Sequence, residues 1–186
     1  MPKMAVWGHV FTIIMYMVFT TFRATFETGE YNTPVKVVLI QFLAGTTSAL
    51  CVFIARPVSS IMGKSDEISL YDPQTLLGCF MAGLVSVSAS CRGVTKEAGI
   101  LIGMAGSFFF MFAKKLMLKF EVDDGLNQVG IHCVCGCWAL IAAGFFDSRT
   151  GVFVTGNMAA AWNQLIGIGA IFLLAFVPTY AFFFTL

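Results

Sequence analysis

The stretch VVLIQFLAGTTSALCVFIA, Val37 to Ala55, holds no charged residue and is followed at once by Arg56 and Pro57. At about 1.5 Å of rise per residue it makes a helix nearly 30 Å long, the thickness of the hydrocarbon core of a bilayer. That one reading sets the fold class, because a helix of this length and composition is suited to lipid.

Working outward, the pattern recurs five times: Ala5 to Phe22, Pro73 to Ser90, Ala98 to Ala113, Leu126 to Phe146 and Met158 to Leu186. The fourth span is short but ends at Lys114-Lys115, whose long side chains reach the interface. The last is long enough to tilt, and Pro178 is placed to kink it. The charges gather between the spans, at Arg23 to Lys36, Arg56 to Asp72, Arg92 to Glu97, Lys114 to Asp124 and Asp147 to Arg149.

Composition agrees. Charged residues make up 11% of the 186, against about 25% in a soluble domain, and hydrophobic residues alone make up 58%. The chain is expected to be all-α, a polytopic membrane bundle of about six transmembrane helices forming one domain over residues 1–186. A disordered tail, a collagenous chain and an ordinary soluble enzyme are poor fits. Eleven Lys and Arg against ten Asp and Glu leave no basic surplus for nucleic acid.

The first span has only Lys3 before it and lacks an A-x-A site, so a retained helix is expected and not a cleaved signal. With the N-terminus inside, six Lys and Arg fall on the inner side and five on the outer; the cluster Lys114 to Lys119 favours that orientation. Ala82, Ser86 and Ser90 recur every four residues, and Gly99 and Gly103 repeat the device. Such stripes let helix backbones approach closely in lipid. The six cysteines read as small buried hydrophobes, and the Cys133-x-Cys135-x-Cys137 spacing is not that of a zinc site. No metal site or cofactor is expected, and no nucleophile–base pair or phosphate loop marks an enzyme.

Inside the spans, His132 is the residue that could carry chemistry. It lies six residues into the fifth span, roughly 9 Å below its mouth, and ionisable groups at such depth face cavities or the bundle interior. Gly136, Ala139 and Ala143 lie further along the same face and leave room beside the imidazole; a structural hydrogen bond to a neighbouring helix is the equal alternative. His9 is expected near an interface. Gln41, Thr46, Thr47, Asn163 and Gln164 are expected as interhelical hydrogen-bond partners. The phenylalanine runs at Phe108 to Phe110 and Phe182 to Phe184 are expected to face lipid.

The run Asp123-Asp124-Gly125-Leu126-Asn127-Gln128-Val129-Gly130-Ile131-His132-Cys133-Val134-Cys135-Gly136 resembles the D-D-x-L-D-x-x-x-x-H-G-x-x-G signature of ammonium transporters, the Amt/Mep/Rh family. Ala82 to Val87 is similar to the family's A-G-L-V-x-I/V run and Gln164 to Gly167 to its Q-L-I-G. Gly8 to Phe19 is similar to its G-x-x-x-L-W-x-G-W-x-x-F helix, with both tryptophans replaced.

The resemblance implies a path for ammonium or ammonia through a narrow, histidine-lined pore, in a homotrimer at the plasma membrane. By that match His132 takes the place of the second pore histidine and Phe19 that of an entrance-gate phenylalanine. Tyr16 stands where a tryptophan is usual, Gly136 keeps its place in the signature, and Asp124 has a structural role near the inner end of the fifth span. Only the second repeat and last helix of an eleven-helix fold are represented. The resemblance thus implies a C-terminal half in which the first pore histidine and the other gate phenylalanine belong to the missing part. Asn127, Cys133 and Arg23 depart from the pattern. They support an alternative, a half-size, non-conducting relative acting as an interaction or sensing subunit.

Overall fold

Local signals start two of the helices. Asp72 stands before Pro73 and accepts a hydrogen bond from the Thr75 backbone N–H at 3.2 Å; Pro73, with its φ preset, opens the first turn. Thr95 does the same for the next helix, accepting from Ala98 N at 3.3 Å, with Glu97 in the first turn where the helix dipole favours an anion. The computed structural model describes residues 2–28, 32–61 and 72–185. Their order is α1 (Pro2–Thr28), α2 (Asn32–Ile61), α3 (Pro73–Val87), α4 (Lys96–Lys119), a π-helical segment (Val129–Val134) running into α5 (Cys135–Phe146), a single turn α6 (Val152–Thr155) and α7 (Ala159–Thr185).

Small residues decide how these helices meet. A Cβ built on Gly83 of α3 or on Gly103 of α4 would run into the Ala44 carbonyl oxygen of α2, and one on Gly106 into the Ser86 hydroxyl. Two of these three contacts are against backbone, so α2 packs on both α3 and α4 at a separation that only glycine permits. Ser48 of α2 donates to the Cys79 carbonyl of α3 at 2.6 Å, tying the same pair by a buried hydrogen bond. The expected Gly99/Gly103 stripe does this work. Of the other expected stripe, Ser86 packs against α4, whereas Ser90 lies beyond the end of α3.

Two apolar clusters fill the rest. One joins Cys79, Met81, Leu84 and Val85 of α3 to Phe110 of α4 and to Ile131 and Cys135 of the fifth span. The other joins Val37, Ile40 and Ala44 of α2 to Ile102 of α4 and Ala142 of α5. Helix α3 is the centre: α1, α2, α4, α5 and the π-helical segment all pack on it. Among the described residues α1 and α5 do not pack on each other. Helix α7 meets α5 where Gly144 faces Ala161, the one buried residue of α7.

Among the described residues, four helical stretches are long and apolar enough to cross a membrane, at Pro34–Ile54, Lys96–Lys119, Val129–Phe146 and Ala159–Thr185; Pro73–Val87 is apolar but shorter. The architecture is an all-helical membrane bundle, and the protein is integral to the membrane.

Several boundaries differ from the sequence expectation: α1 runs on to Thr28 beyond Phe22, and α4 to Lys119 beyond Ala113. Helix α2 continues past Arg56-Pro57 to Ile61. Helix α3 ends at Val87, because the Ser88, Ser90 and Gly93 N–H groups bond three residues back in successive turns. The fifth span begins at Val129 and not at Leu126. The expected loop around Lys64 lies outside the described residues.

Some side chains differ too. Phe110 is fully buried against Gly78 and Gly130, not lipid-facing, while Phe108 and Phe182 to Phe184 are exposed. Gln41 does bond across helices, its amide donating to Thr20 of α1 at 2.7 Å. Thr46 and Thr47 instead bond back to carbonyls of their own helix, and Asn163 is exposed. Cys79, Cys91 and Cys135 are buried as expected, whereas Cys133 is exposed.

Candidate functional site: an open groove between α1 and α5

The groove arises from the packing. Helices α1 and α5 both lean on α3 but stay apart, so a channel-shaped gap runs between them with α3 as its floor. Two consecutive cavities mark it. The smaller, about 80 Å³, is lined by Gly8, His9 and Thr12 of α1, Met81 of α3, and Gln128 and His132 among others. The larger, about 310 Å³, is lined by Tyr16, Phe19 and Arg23 of α1, Ser88 behind α3, and Gly136 and Ala139 of α5 among others. Residue numbers rise together along α1, α3 and α5, so the three helices run parallel. Thr12 to Tyr16 and His132 to Gly136 are each one helical turn, about 6 Å, which places the cavities end to end.

Two stripes make the walls. On α1, His9, Thr12, Tyr16, Phe19 and Arg23 recur at intervals of three and four; on the facing span Gln128, His132, Gly136 and Ala139 do the same. Four expected site residues, Tyr16, Phe19, His132 and Gly136, are therefore brought onto one groove. Phe19 is 64% exposed and Tyr16 half-buried against the α3 core, so Phe19 is the freer of the two aromatic side chains. Nothing lies within 4 Å of a Cβ built on Gly136, which makes it an open spot in the wall.

His132 owes its place to backbone departures. Asn127 has φ +55°, a left-handed conformation that asparagine adopts more readily than most residues. The segment Val129–Val134 is then π-helical, with the Cys135 N–H bonding the Gly130 carbonyl five residues back. The wider turn takes in an extra residue and shifts the register of α5 beyond it; such insertions recur at functional sites. The sequence carries a signal for the turn in Asn127 but none for the π-helical stretch.

Asp124 is not in the groove. Its carboxylate accepts from the Gln128 N–H at 2.8 Å and the Val129 N–H at 2.9 Å, satisfying the first donors of the span that carries His132. It also lines a separate polar cavity of about 230 Å³ with Asp72, Gln74, Lys114 and Asp123. There the Lys114 ammonium donates to Thr75 at 2.7 Å. Replacing Asp124 with alanine is expected to cost about 0.5–2 kcal/mol of stability by orphaning both N–H groups. A thermal melt of the purified protein in detergent checks this; Asp124→Asn, which keeps an acceptor, should recover most of the loss.

His9 is 5% exposed and shares the small cavity with His132. Sequence reasoning placed it by depth alone, whereas its three-and-four spacing to Thr12, Tyr16 and Phe19 was the available signal.

Comparison with known proteins bears on the family and the fold. The model of the Ammonium Transporter Family matches residues 2–186. Ammonium transporter 3 of Dictyostelium discoideum is 31% identical over 128 residues, which is 62% of this chain and 30% of that protein. An ammonium transporter of Bacillus subtilis is 32% identical over 117 residues, 57% of this chain and 29% of that protein. The chain thus spans under a third of these two curated relatives. The crystal structure of Saccharomyces cerevisiae Mep2 superposes with a TM-score of 0.75 over 91% of this chain and 40% of its own, at 21% identity, a likeness of fold. With its helices in that arrangement and nearly every residue matched, the chain belongs to the ammonium transporter family.

Proposed function

We propose that the groove between α1 and α5 is one wall of a path for ammonium or ammonia, and that further helices, in the same polypeptide or another, supply the facing wall. The observation that carries this reading is the convergence of Tyr16, Phe19, His132 and Gly136 on one groove left open by the separation of α1 from α5. Phe19 serves as an entrance aromatic and Tyr16 backs it. Gly136 keeps the wall clear and His132 is the polar station inside. Asp124 holds the span that bears His132. The assembly is a homotrimer in the plasma membrane, and the chain acts as a C-terminal portion of the conducting unit.

Physical chemistry supports the division of labour. A bare cation leaving water for a dry path meets a penalty of several kcal/mol. A neutral imidazole offers one N–H donor and one acceptor nitrogen. It can therefore accept a hydrogen bond from an ammonium N–H or take its proton. Methionine and isoleucine around His132 cannot do either.

Occlusion tests the reading. A leucine at position 136 meets nothing within 4 Å at its Cβ, and it favours helix over glycine by about 0.5–1 kcal/mol. Gly136→Leu should leave stability unchanged or raised, yet cut methylammonium uptake by about tenfold or more as the side chain fills the groove. Uptake equal to wild type at equal membrane abundance would sink the proposal.

A second reading is favoured by Arg23 and Arg92, which both line the larger cavity and bring positive charge to it. It makes the chain a non-conducting subunit that docks on or senses a conducting relative. Co-purification with a full-length transporter, together with no uptake of its own, is its expected signature; uptake lost on blocking the groove decides against it.

A further inference from the structure

The start of α3, the end of α4 and the turn that opens the fifth span meet around the polar cavity of about 230 Å³, apart from the groove. Its lining is not satisfied from within. Asn127 is 8% exposed, yet its side-chain amide makes no hydrogen bond among the described residues. The half-buried Lys114 ammonium donates only to Thr75, and no carboxylate among the described residues lies within ion-pairing distance of it. Asp123 lines the cavity exposed and without a hydrogen bond, and the capping bonds of Asp72 use Oδ2 and leave Oδ1 clear. We propose that this cavity is a binding site for a small zwitterion of the α-amino acid class, its carboxylate on Lys114 and Asn127 and its ammonium on Asp123 and Asp72.

The charge pattern selects the ligand. A buried amide without a partner and a half-buried ammonium without a counter-ion are both costly to keep, so each calls for a bonded group. A simple cation would meet the carboxylates but be repelled by Lys114; a simple anion would pair with Lys114 but face Asp72 and Asp123. A molecule that carries both signs a few bonds apart answers both. With a water's share of liquid at about 30 Å³, the volume has room for about seven non-hydrogen atoms, enough for glycine or alanine. Phe110, Met117 and Leu118 make the apolar part of the lining, suited to a short aliphatic side chain. Asn127 and Gly130 face this cavity while Gln128 and His132 face the groove, so a ligand bonded to Asn127 also holds the turn that presents His132. The site lies outside the groove and stands whether or not the groove conducts.

The test follows the side-chain amide NMR signals of Asn127 in the full chain, held in lipid nanodiscs at constant ionic strength. They are identified by their loss in Asn127→Gly, which accepts the φ of +55° without strain. Glycine is titrated against sodium acetate and methylammonium chloride, which each carry one half of the zwitterion. The signals should shift and saturate with glycine, whereas either half alone should need about tenfold more, the effect of losing one hydrogen bond between charged groups. Lys114→Gln should raise the half-saturating glycine concentration about tenfold or more, and should leave methylammonium unchanged or tighter because a positive neighbour is gone. Asp123→Asn, at an exposed residue that bonds to nothing else, should also weaken glycine and covers the case in which the Lys114 variant folds poorly. Methylammonium or acetate acting at the same concentration as glycine would mean a site for a single charge and overturn the proposal. Signals unmoved by glycine, or a half-saturation unchanged in both variants, would overturn it as well.

Discussion

Gly103→Val is expected to prevent the bundle from assembling. A Cβ at position 103 would lie 2.7 Å from the Ala44 Cα and 2.9 Å from its carbonyl carbon, besides striking the carbonyl oxygen. These are backbone atoms of α2, so no rotamer change relieves the overlap. Helices α2 and α4 would have to separate, which also opens the contact of Gly99 with Ile40. Overpacking against side chains that can yield costs about 1–3 kcal/mol, and against backbone the cost lies at or above the top of that range. Size-exclusion and thermal unfolding in detergent should show the monodisperse peak lost or the midpoint sharply lowered. Gly125→Ala, where nothing lies within 4 Å, should behave as wild type. A Gly103→Val protein that melts with the wild type would show that α2 and α4 are not packed as described.

His132→Ala carries the second large effect, on flux and not on folding. His132 is exposed to the groove, and its removal takes away no core contact. On the proposed path, the loss is that of its polar station in the smaller cavity. A hydrogen bond to a charged group is worth about 1.5–3 kcal/mol, so its removal should slow methylammonium transfer by about tenfold or more. The melting midpoint should stay close to that of wild type. A drop in uptake with an equal drop in stability would mean a structural role for the imidazole instead.

The membrane class was legible because it rests on length and the absence of charge, which lipid enforces span by span. The close approach of α2 and α4 was half-legible: Gly99 and Gly103 announce a tight face, but only the assembled bundle shows Ala44 to be the residue that Gly103 meets. Helix ends were less so. Propensity and proline placed a stop at Arg56-Pro57, while α2 runs on to Ile61, and the turns that end α3 at Val87 lie in a run of small residues that reads equally well as helix. Phe110 was placed in lipid because a run of phenylalanines gives no orientation; the neighbouring Gly78 and Gly130 open the pocket that buries it. For the groove, the stripe His9, Thr12, Tyr16, Phe19 and Arg23 was present in the sequence. Its meaning needed the second stripe on the fifth span, and the π-helical turn that aligns the two has no sequence signature.

The most direct test compares methylammonium flux for wild type, His132→Ala and Gly136→Leu in one host that lacks its own ammonium transporters, at matched membrane abundance. If the groove is a wall of the path, wild type conducts and both variants lose most of the flux while their melting midpoints hold. Equal flux in all three proteins would contradict it, because a path along this groove cannot survive both the loss of its imidazole and the filling of its open wall.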